Sequence, residues 1–275
     1  MDIEIRDNQD AAALLEWQVS MGADEAIADE TIDRFNSEIV AETATKTPPK
    51  AAKKTASRPM PVAARPAQPT SGAGVQAALD AANACNTVDA LKQALENFDG
   101  GLLKRSAKNT VFSDGTVGAP LMVMGDIPGA EEDTLGKPFV GAPGQLLDKM
   151  LAAISLSRTD GAYLTDLVPW RPLGNSKPDA AILDMCKAFA ARHILLAKPK
   201  VLILLGGTTA KTILGNDDSI SRQRGKWKSL PPQADNAGTD IAVMAMVHPS
   251  FLLNQPLQKK NAWHDLLAVQ EKLSS

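Results

Sequence analysis

Cysteine is nearly absent. Cys85 and Cys186 are the only two among 275 residues, too few for a disulfide framework, and no C-x-x-C pair is present for zinc or redox work. Long apolar runs are missing too: none approaches the ~18 residues that a membrane span requires. The acidic opening Met-Asp-Ile-Glu lacks the basic n-region and apolar core of a secretory signal. A soluble protein of a reducing compartment, by default the cytoplasm, is therefore expected, with no membrane contact. The chain has no G-x-x-x-x-G-K-[ST], no G-x-G-x-x-G and no G-x-S-x-G, which sets aside P-loop, dinucleotide-binding and serine-hydrolase chemistry. Histidine is scarce, and His193, His248 and His264 have no cysteine or carboxylate neighbours at metal-ligand spacing.

What is present is ordinary for a globular chain, 44% hydrophobic and 22% charged. The net charge of −3 conceals three unlike blocks. Residues 1–43 carry twelve acids and two bases, residues 44–75 six bases and no acid, and residues 76–275 twenty acids and twenty-one bases. Such asymmetry marks separate jobs. Within the acidic block, Ala11, Leu14, Leu15, Val19 and Met21 fall near helical spacing, with Asn8 or Asp10 as N-cap. One short helix buries no core by itself. The Pro-, Ala- and Lys-rich stretch 44–75 reads as a disordered basic linker, because it offers too little apolar surface to offset the entropy of ordering. A single folded domain is expected over 76–275.

Four short apolar, β-rich runs stand out there, at 120–124, 162–168, 200–205 and 241–247. Helical patterns at 144–154, 179–197 and 208–214 separate them, and another follows at 258–273. Strands alternating with helices argue βαβ units. The predicted fold is a three-layer α/β/α domain with a four-stranded, mainly parallel sheet. In such sheets ligands bind beyond the carboxyl ends of the strands. Gly125–Gly129 follow the first run, Asp166 ends the second, Gly206-Gly207-Thr208-Thr209 follow the third and His248 onward follow the fourth.

These rim segments carry a resemblance. From about Phe98 to Leu273 the chain resembles the uracil-DNA glycosylase superfamily, most closely its iron–sulfur-containing family four. The matching stretches, in order, are 109–112 with Gly115, G-D-I-P-G-A-E-E-D at 125–133 and G-K-P-F-V-G-A-P-G-Q-L-L-D at 136–148. Y-L-T-D-L-V-P-W-R-P-L-G-N at 163–175, R-G-K-W at 224–227 and H-P-S-F-L-L at 248–253 complete the set. The resemblance implies removal of uracil from DNA by hydrolysis of the N-glycosidic bond, on a nucleotide flipped out of the duplex.

It also implies roles. Asp126 stands at the motif-one acid that orients the attacking water, where the family has the longer Glu. His248 stands at the motif-two histidine, a donor to the uracil oxygen that gains charge. Gly125, Ile127, Pro128, Gly129 and Ser250 line the base site, and Phe139 stacks on the base. Leu252 is the apolar wedge that enters the vacated stack. Arg171 and Arg224 head the candidates for phosphate contact, with Lys177, Arg222, Lys226, Lys259 and Lys260 behind them. Each position has a structural alternative: Asp126 as a turn or helix cap, and His248, Phe139 and Leu252 as core.

Two departures stand out. The family's four cluster cysteines fall at Phe98, Gly101, Trp170 and Cys186. One thiolate cannot hold an iron–sulfur cube, so no cluster, metal or nucleotide cofactor is expected, with Phe98 and Trp170 as core instead. Asp166 replaces the family's uracil-reading Asn. The favoured reading is a monomeric uracil-DNA glycosylase acting on uracil-containing DNA, with the acidic N-terminal helix as a candidate contact for a repair partner. The alternatives are a weak or inert member that binds DNA or a repair partner, or a glycosylase for another damaged base.

Overall fold

A computed structural model describes residues 71–230 and 241–274. The acidic segment 1–43 with its expected helix, and the expected linker as far as residue 70, lie outside the described residues. The last five expected linker positions depart from that reading, because they open helix α1 (Ser71–Asn83). Small residues there suggested a linker, yet Ala78 and Ala82 of the same helix are buried. Docking stabilises a helix that propensity alone would leave marginal. Two short helices follow, α2 (Val88–Asn97) and α3 (Gly101–Ser106). Thr87 starts α2, its side chain accepting the Ala90 N–H at 3.1 Å.

The sheet contains β1 (Ser113–Gly115), β2 (Leu121–Gly125), β3 (Ala162–Asp166), β4 (Val201–Leu205), β5 (Trp227–Ser229) and β6 (Ala242–Met246). Their spatial order is β1-β3-β2-β4-β6-β5. The inner four are mutually parallel, and β1 and β5 add antiparallel edges. The inner strands are the four expected runs, offset by one or two residues. The sheet is nevertheless six-stranded rather than four-stranded. Each edge strand has only three residues and no fully buried position, so neither leaves an apolar pattern in the sequence.

Between the strands lie α4 (Ala130–Leu135), α5 (Ala142–Ala153), α6 (Ala180–Ala197), α7 (Gly207–Leu214) and α8 (Ile220–Gln223). After β6 come α9 (Pro249–Asn254) and α10 (Lys259–Ser274). Alternation along the inner strands divides the core in two. Met122, Met124, Tyr163, Leu202 and Val243 pack with Leu91 of α2, Phe189 and Ile194 of α6 and Ile213 of α7. Leu121, Val123, Leu164, Ile203 and Met246 pack with Leu147 and Leu151 of α5 and Leu266 and Val269 of α10. This is the three-layer α/β/α arrangement, covered on both faces as near-continuous apolar strands require. No helix among the described residues is long and apolar enough to cross a membrane.

Two polar side chains serve this scaffold. His193 is buried, with Nε2 2.8 Å from the Tyr163 hydroxyl and its ring stacked on Phe112, and burial pushes its pKa down to about 3. Arg224, expected to meet phosphate, instead ties the α8–β5 turn to α10. Its guanidinium donates to Asp265 Oδ1 and to the Asn261 carbonyl, both at 2.6 Å. The Asp265 side chain is 4% exposed and that of Arg224 22%, so this cation is committed to a largely buried partner. Burial raises the Asp265 pKa and the Arg224 charge opposes that shift.

Arg224→Ala therefore removes the opposing charge and leaves a buried carboxylate alone. The expected loss of unfolding free energy is ~3 kcal/mol at pH 7. The loss should shrink at pH 4, where the further raised Asp265 takes up a proton and sheds its charge. Urea unfolding at both pH values checks this, and equal losses would contradict the ion-pair account.

Candidate active site

The carboxyl ends of β2, β3, β4 and β6 face one rim. Gly125, the last residue of β2, stands in register with Asp166, the last of β3. The ladder continues past both strands: Leu167 N–H donates to the Gly125 carbonyl at 2.9 Å and Val168 N–H to the Asp126 carbonyl at 3.1 Å. A side chain at 125 has no room, since a Cβ there would overlap both the Asp166 carboxylate and the Phe139 ring. Glycine is required by close approach.

Asp126 reaches across to β4's exit. Its Oδ1 accepts the Thr209 backbone N–H and faces the Thr209 hydroxyl, each at 2.6 Å, while that hydroxyl also lies 2.7 Å from the Gly125 carbonyl. Thr209 is in the first turn of α7, so the carboxylate satisfies one of the helix's orphan donors and sits at its positive end. The capping alternative for Asp126 is thus realised, though on α7 rather than on the segment that follows it. Oδ2 accepts no hydrogen bond from the described residues. The carboxylate lies against Gly206, which holds φ 104° and leaves no space for a Cβ. Thr209 is the principal site residue that sequence reasoning missed. Its position after a Gly-Gly helix start was the available signal.

Phe139 adopts the left-handed conformation at φ 54°, which a bulky residue holds only when its surroundings dictate it. Arg158 supplies the constraint. One guanidinium donates to the Phe139 carbonyl, to the Pro138 carbonyl at 2.9 Å, to Asp114 at 3.0 Å and to Asp148 at 2.7 Å. Phe139 is buried beneath the rim, and its ring lies 5.9 Å from that of His248 at an interplanar angle of 26°.

His248 precedes α9, and its Nδ1 accepts the Ser250 N–H at 3.2 Å with the Ser250 hydroxyl at 2.8 Å. A neutral imidazole accepting at Nδ1 carries its proton on Nε2. Burial lowers the His248 pKa, with the charges of Asp126 and Glu132 opposing, which favours that neutral donor. Ser250 therefore sets the histidine's tautomer.

Asp166 is buried, at 8% exposure. Burial first, then the charges of Glu132 and Asp126, push its carboxyl up to about 8. Glu132 is itself held by the N–H groups of Val140 and Gly141 at 3.0 and 3.1 Å. Ile127 packs on the first core, Pro128 is buried, and Gly129 precedes α4. Arg171 stays on the rim, donating from Nε to Asn175 at 3.0 Å. Lys177, Lys187 and Lys211 line a neighbouring cleft of about 560 Å³ together with Asp184 and Asp217, whereas Arg222, Lys226, Lys259 and Lys260 are exposed.

Leu252 requires a correction. It is 1% exposed and packed with Val247 and Ala262, so it is core and cannot enter a DNA stack. Its neighbours Phe251 and Leu253 are 49% and 41% exposed. One residue turns a helix by about 100°, so the start of α9 decides which side chain faces out.

The four positions at which the resemblance would place a cluster do not suit one. Trp170 is fully buried, donates Nε1–H to Thr110 at 2.9 Å, and lies so close to Gly100 that a Cβ there would overlap its ring. Phe98 meets Phe189 edge-on at 5.1 Å. Burial pushes the Cys186 thiol up to about 12, so it stays protonated. Among the described residues no three His, Cys, Asp or Glu side chains gather as metal ligands.

The family model for the uracil DNA glycosylase superfamily matches residues 112–268. The chain is 31% identical over 176 residues to the type-4 uracil-DNA glycosylase of Pyrobaculum aerophilum, covering 64% of this chain and 89% of that protein. It is 32% identical over 173 residues to the type-4 uracil-DNA glycosylase of Archaeoglobus fulgidus, covering 62% and 84%. For the type-4 enzyme of Saccharolobus solfataricus the identity is 34% over 173 residues, covering 61% and 78%.

Thr209→Val keeps the shape of the side chain and removes the hydroxyl, whose single proton lies between Asp126 Oδ1 and the Gly125 carbonyl. The expected cost is ~1–3 kcal/mol of unfolding free energy, that of a partly buried carboxylate losing a donor. Urea denaturation measures it, and an unchanged midpoint would show that the hydroxyl does not hold the carboxylate.

Proposed function

The chain belongs to the uracil-DNA glycosylase superfamily, and from that premise we propose that it hydrolyses the bond between uracil and deoxyribose in DNA, as base excision repair requires. The observation that carries this reading is the His248 imidazole, pinned at Nδ1 by Ser250, with its Nε2–H unpartnered among the described residues and beside the Phe139 ring. Bond cleavage leaves positive charge on the sugar and negative charge on the departing base. A preorganised neutral donor stabilises the second without first giving up a proton. Water adds at the sugar carbon and sheds a proton to solvent, and the base leaves with the bonding electron pair as an anion that solvent protonates on release.

In this reading the uncommitted Oδ2 of Asp126 orients that water, and Phe139 provides the surface against which the flipped base stacks. Asp166 faces the base edge. Phe251 takes the wedge role that Leu252 cannot fill. Arg171 and the Lys177–Lys187–Lys211 cleft offer phosphate contacts that are independent of base sequence. Every residue named lies on one chain, so a monomer suffices, and the cytoplasm is where such a protein would meet its DNA. We further propose that the domain works without an iron–sulfur cluster, since Phe98 and Trp170 stand where two thiolates would be needed.

One observation favours a second reading, an inert member that binds DNA: the Oδ1 of Asp126 is committed to α7. Single-turnover assays on uracil-containing oligonucleotides separate the two. Excision is expected, and His248→Ala should slow it by ~10²-fold or more, as loss of a donor to a developing anion does. Full activity in that variant would remove His248 from the mechanism. Anaerobically purified protein should be colourless with substoichiometric iron. A broad visible thiolate-to-iron band with about four irons per chain would overturn the cluster proposal.

A further inference from the structure

Three carboxyl groups meet at the rim, and among the described residues no cation joins them. Asp126 comes from the turn after β2, Glu132 from α4 and Asp166 from the end of β3. The fourth titratable group is His248, which stacks on Phe139 and is kept neutral by burial. Nearby charged groups are occupied elsewhere: Asp133 accepts the Lys108 N–H at 2.8 Å, and Asp114 is held by Arg158 at 3.0 Å.

The three carboxyls are not treated alike. Asp126 has the Thr209 N–H and hydroxyl, and Glu132 has two backbone N–H groups. Donors of that kind stabilise a carboxylate. The Asp166 carboxyl receives no hydrogen bond and no ion pair from the described residues. It is also buried, pressed against Gly125 and the Phe139 ring. An ion placed there is little solvated and has no protein partner among the described residues, and two like charges stand beside it. Such a group keeps its proton.

We infer that Asp166 reads uracil as an uncharged carboxylic acid, its O–H donating to O4 of the base and its C=O accepting the N3–H. This rests on the proposed glycosylase reading and specifies how the base is recognised. An ionised carboxylate is acceptor-only and would meet O4 with like polarity. A neutral carboxyl carries one donor and one acceptor on a planar group, the same pair that an amide presents. The replacement of an amide by an acid at this position is thus tolerated because its neighbours keep it protonated. The crowding of Asp126 and Glu132 becomes part of base recognition, and uracil capture acquires an alkaline limit.

The sign follows from the raised pKa. The competent form dominates below about 8 and is depleted above it. Asp166→Asn keeps the shape and carries the donor at every pH. Single-turnover uracil excision is measured for both proteins from pH 6.5 to 9.5. The ratio of the variant's rate to that of the wild type should rise by roughly tenfold between pH 6.5 and pH 9, as one unit beyond a titration implies. Ionisation of uracil's own N3–H affects both proteins and cancels in the ratio. A flat ratio with both proteins active overturns the inference and leaves the glycosylase reading intact. Absence of uracil release from both at every pH overturns the glycosylase reading, and with it the base contact.

A second readout needs no substrate. The infrared difference between the wild type and Asp166→Asn should contain the carbonyl stretch of a protonated acid at pH 6.5 and lose it at pH 9.5. A carboxylate band at pH 6.5 overturns the inference whatever the activity.

Discussion

The rim is organised around the two contacts from Thr209 to Asp126. Through them the exit of β2 is fastened to the first turn of α7, and so to the exit of β4. The same hydroxyl lies on the Gly125 carbonyl, which in turn accepts from the chain leaving β3. Three strand ends are thereby fixed relative to one another by one threonine and one carboxylate. The geometry is possible only because Gly206 and Gly125 leave the volume into which the Asp126 and Asp166 carboxylates fit. Hydrogen bonds of this kind contribute little apiece to stability, but the cost of leaving any of them unmade gives the arrangement its definition.

A polar rim above an apolar core is an electrostatic compromise. Helix N-termini and backbone amides supply partial positive charge where no lysine or arginine intrudes. Partial charges suffice for Asp126 and Glu132. They leave a neutral histidine free to act as a donor, because a full cation nearby would compete for the same developing negative charge. Arg158 illustrates the division of labour. Its charge is spent below the rim on Asp114 and Asp148, while its remaining N–H groups fix the backbone that presents Phe139.

The inner strands and helices α5, α6, α7 and α10 were legible because burial on both faces writes continuous apolar runs, and amphipathic helices write a clear period. The three-residue edges β1 and β5 bury too little to leave such a trace. Helix α1 begins in residues whose small side chains mimic a linker, and only docking against the domain explains its order. At the site, the rim positions Asp126, Phe139, Asp166 and His248 could be named from sequence. The donors that decide their states could not, since Thr209 is 83 residues from Asp126. Leu252 failed for a local reason: position in a motif does not report on which side of a one-and-a-half-turn helix a residue emerges.

Trp170 carries a consequence of another kind. Where ligands clamp a metal, part of the folding free energy is binding free energy, and it rises and falls with the supply of ions and with oxidation of the thiols. Around Trp170 the volume is closed by atoms of the chain itself, by Gly100, by the Thr110 hydroxyl and by Lys104 5.8 Å from the ring. Stability there is set once, when the polypeptide is made, and follows the hydration of buried surface, with its positive heat capacity of unfolding. On the cluster-free reading proposed above, that corner of the domain answers to temperature rather than to the metal or redox status of its surroundings.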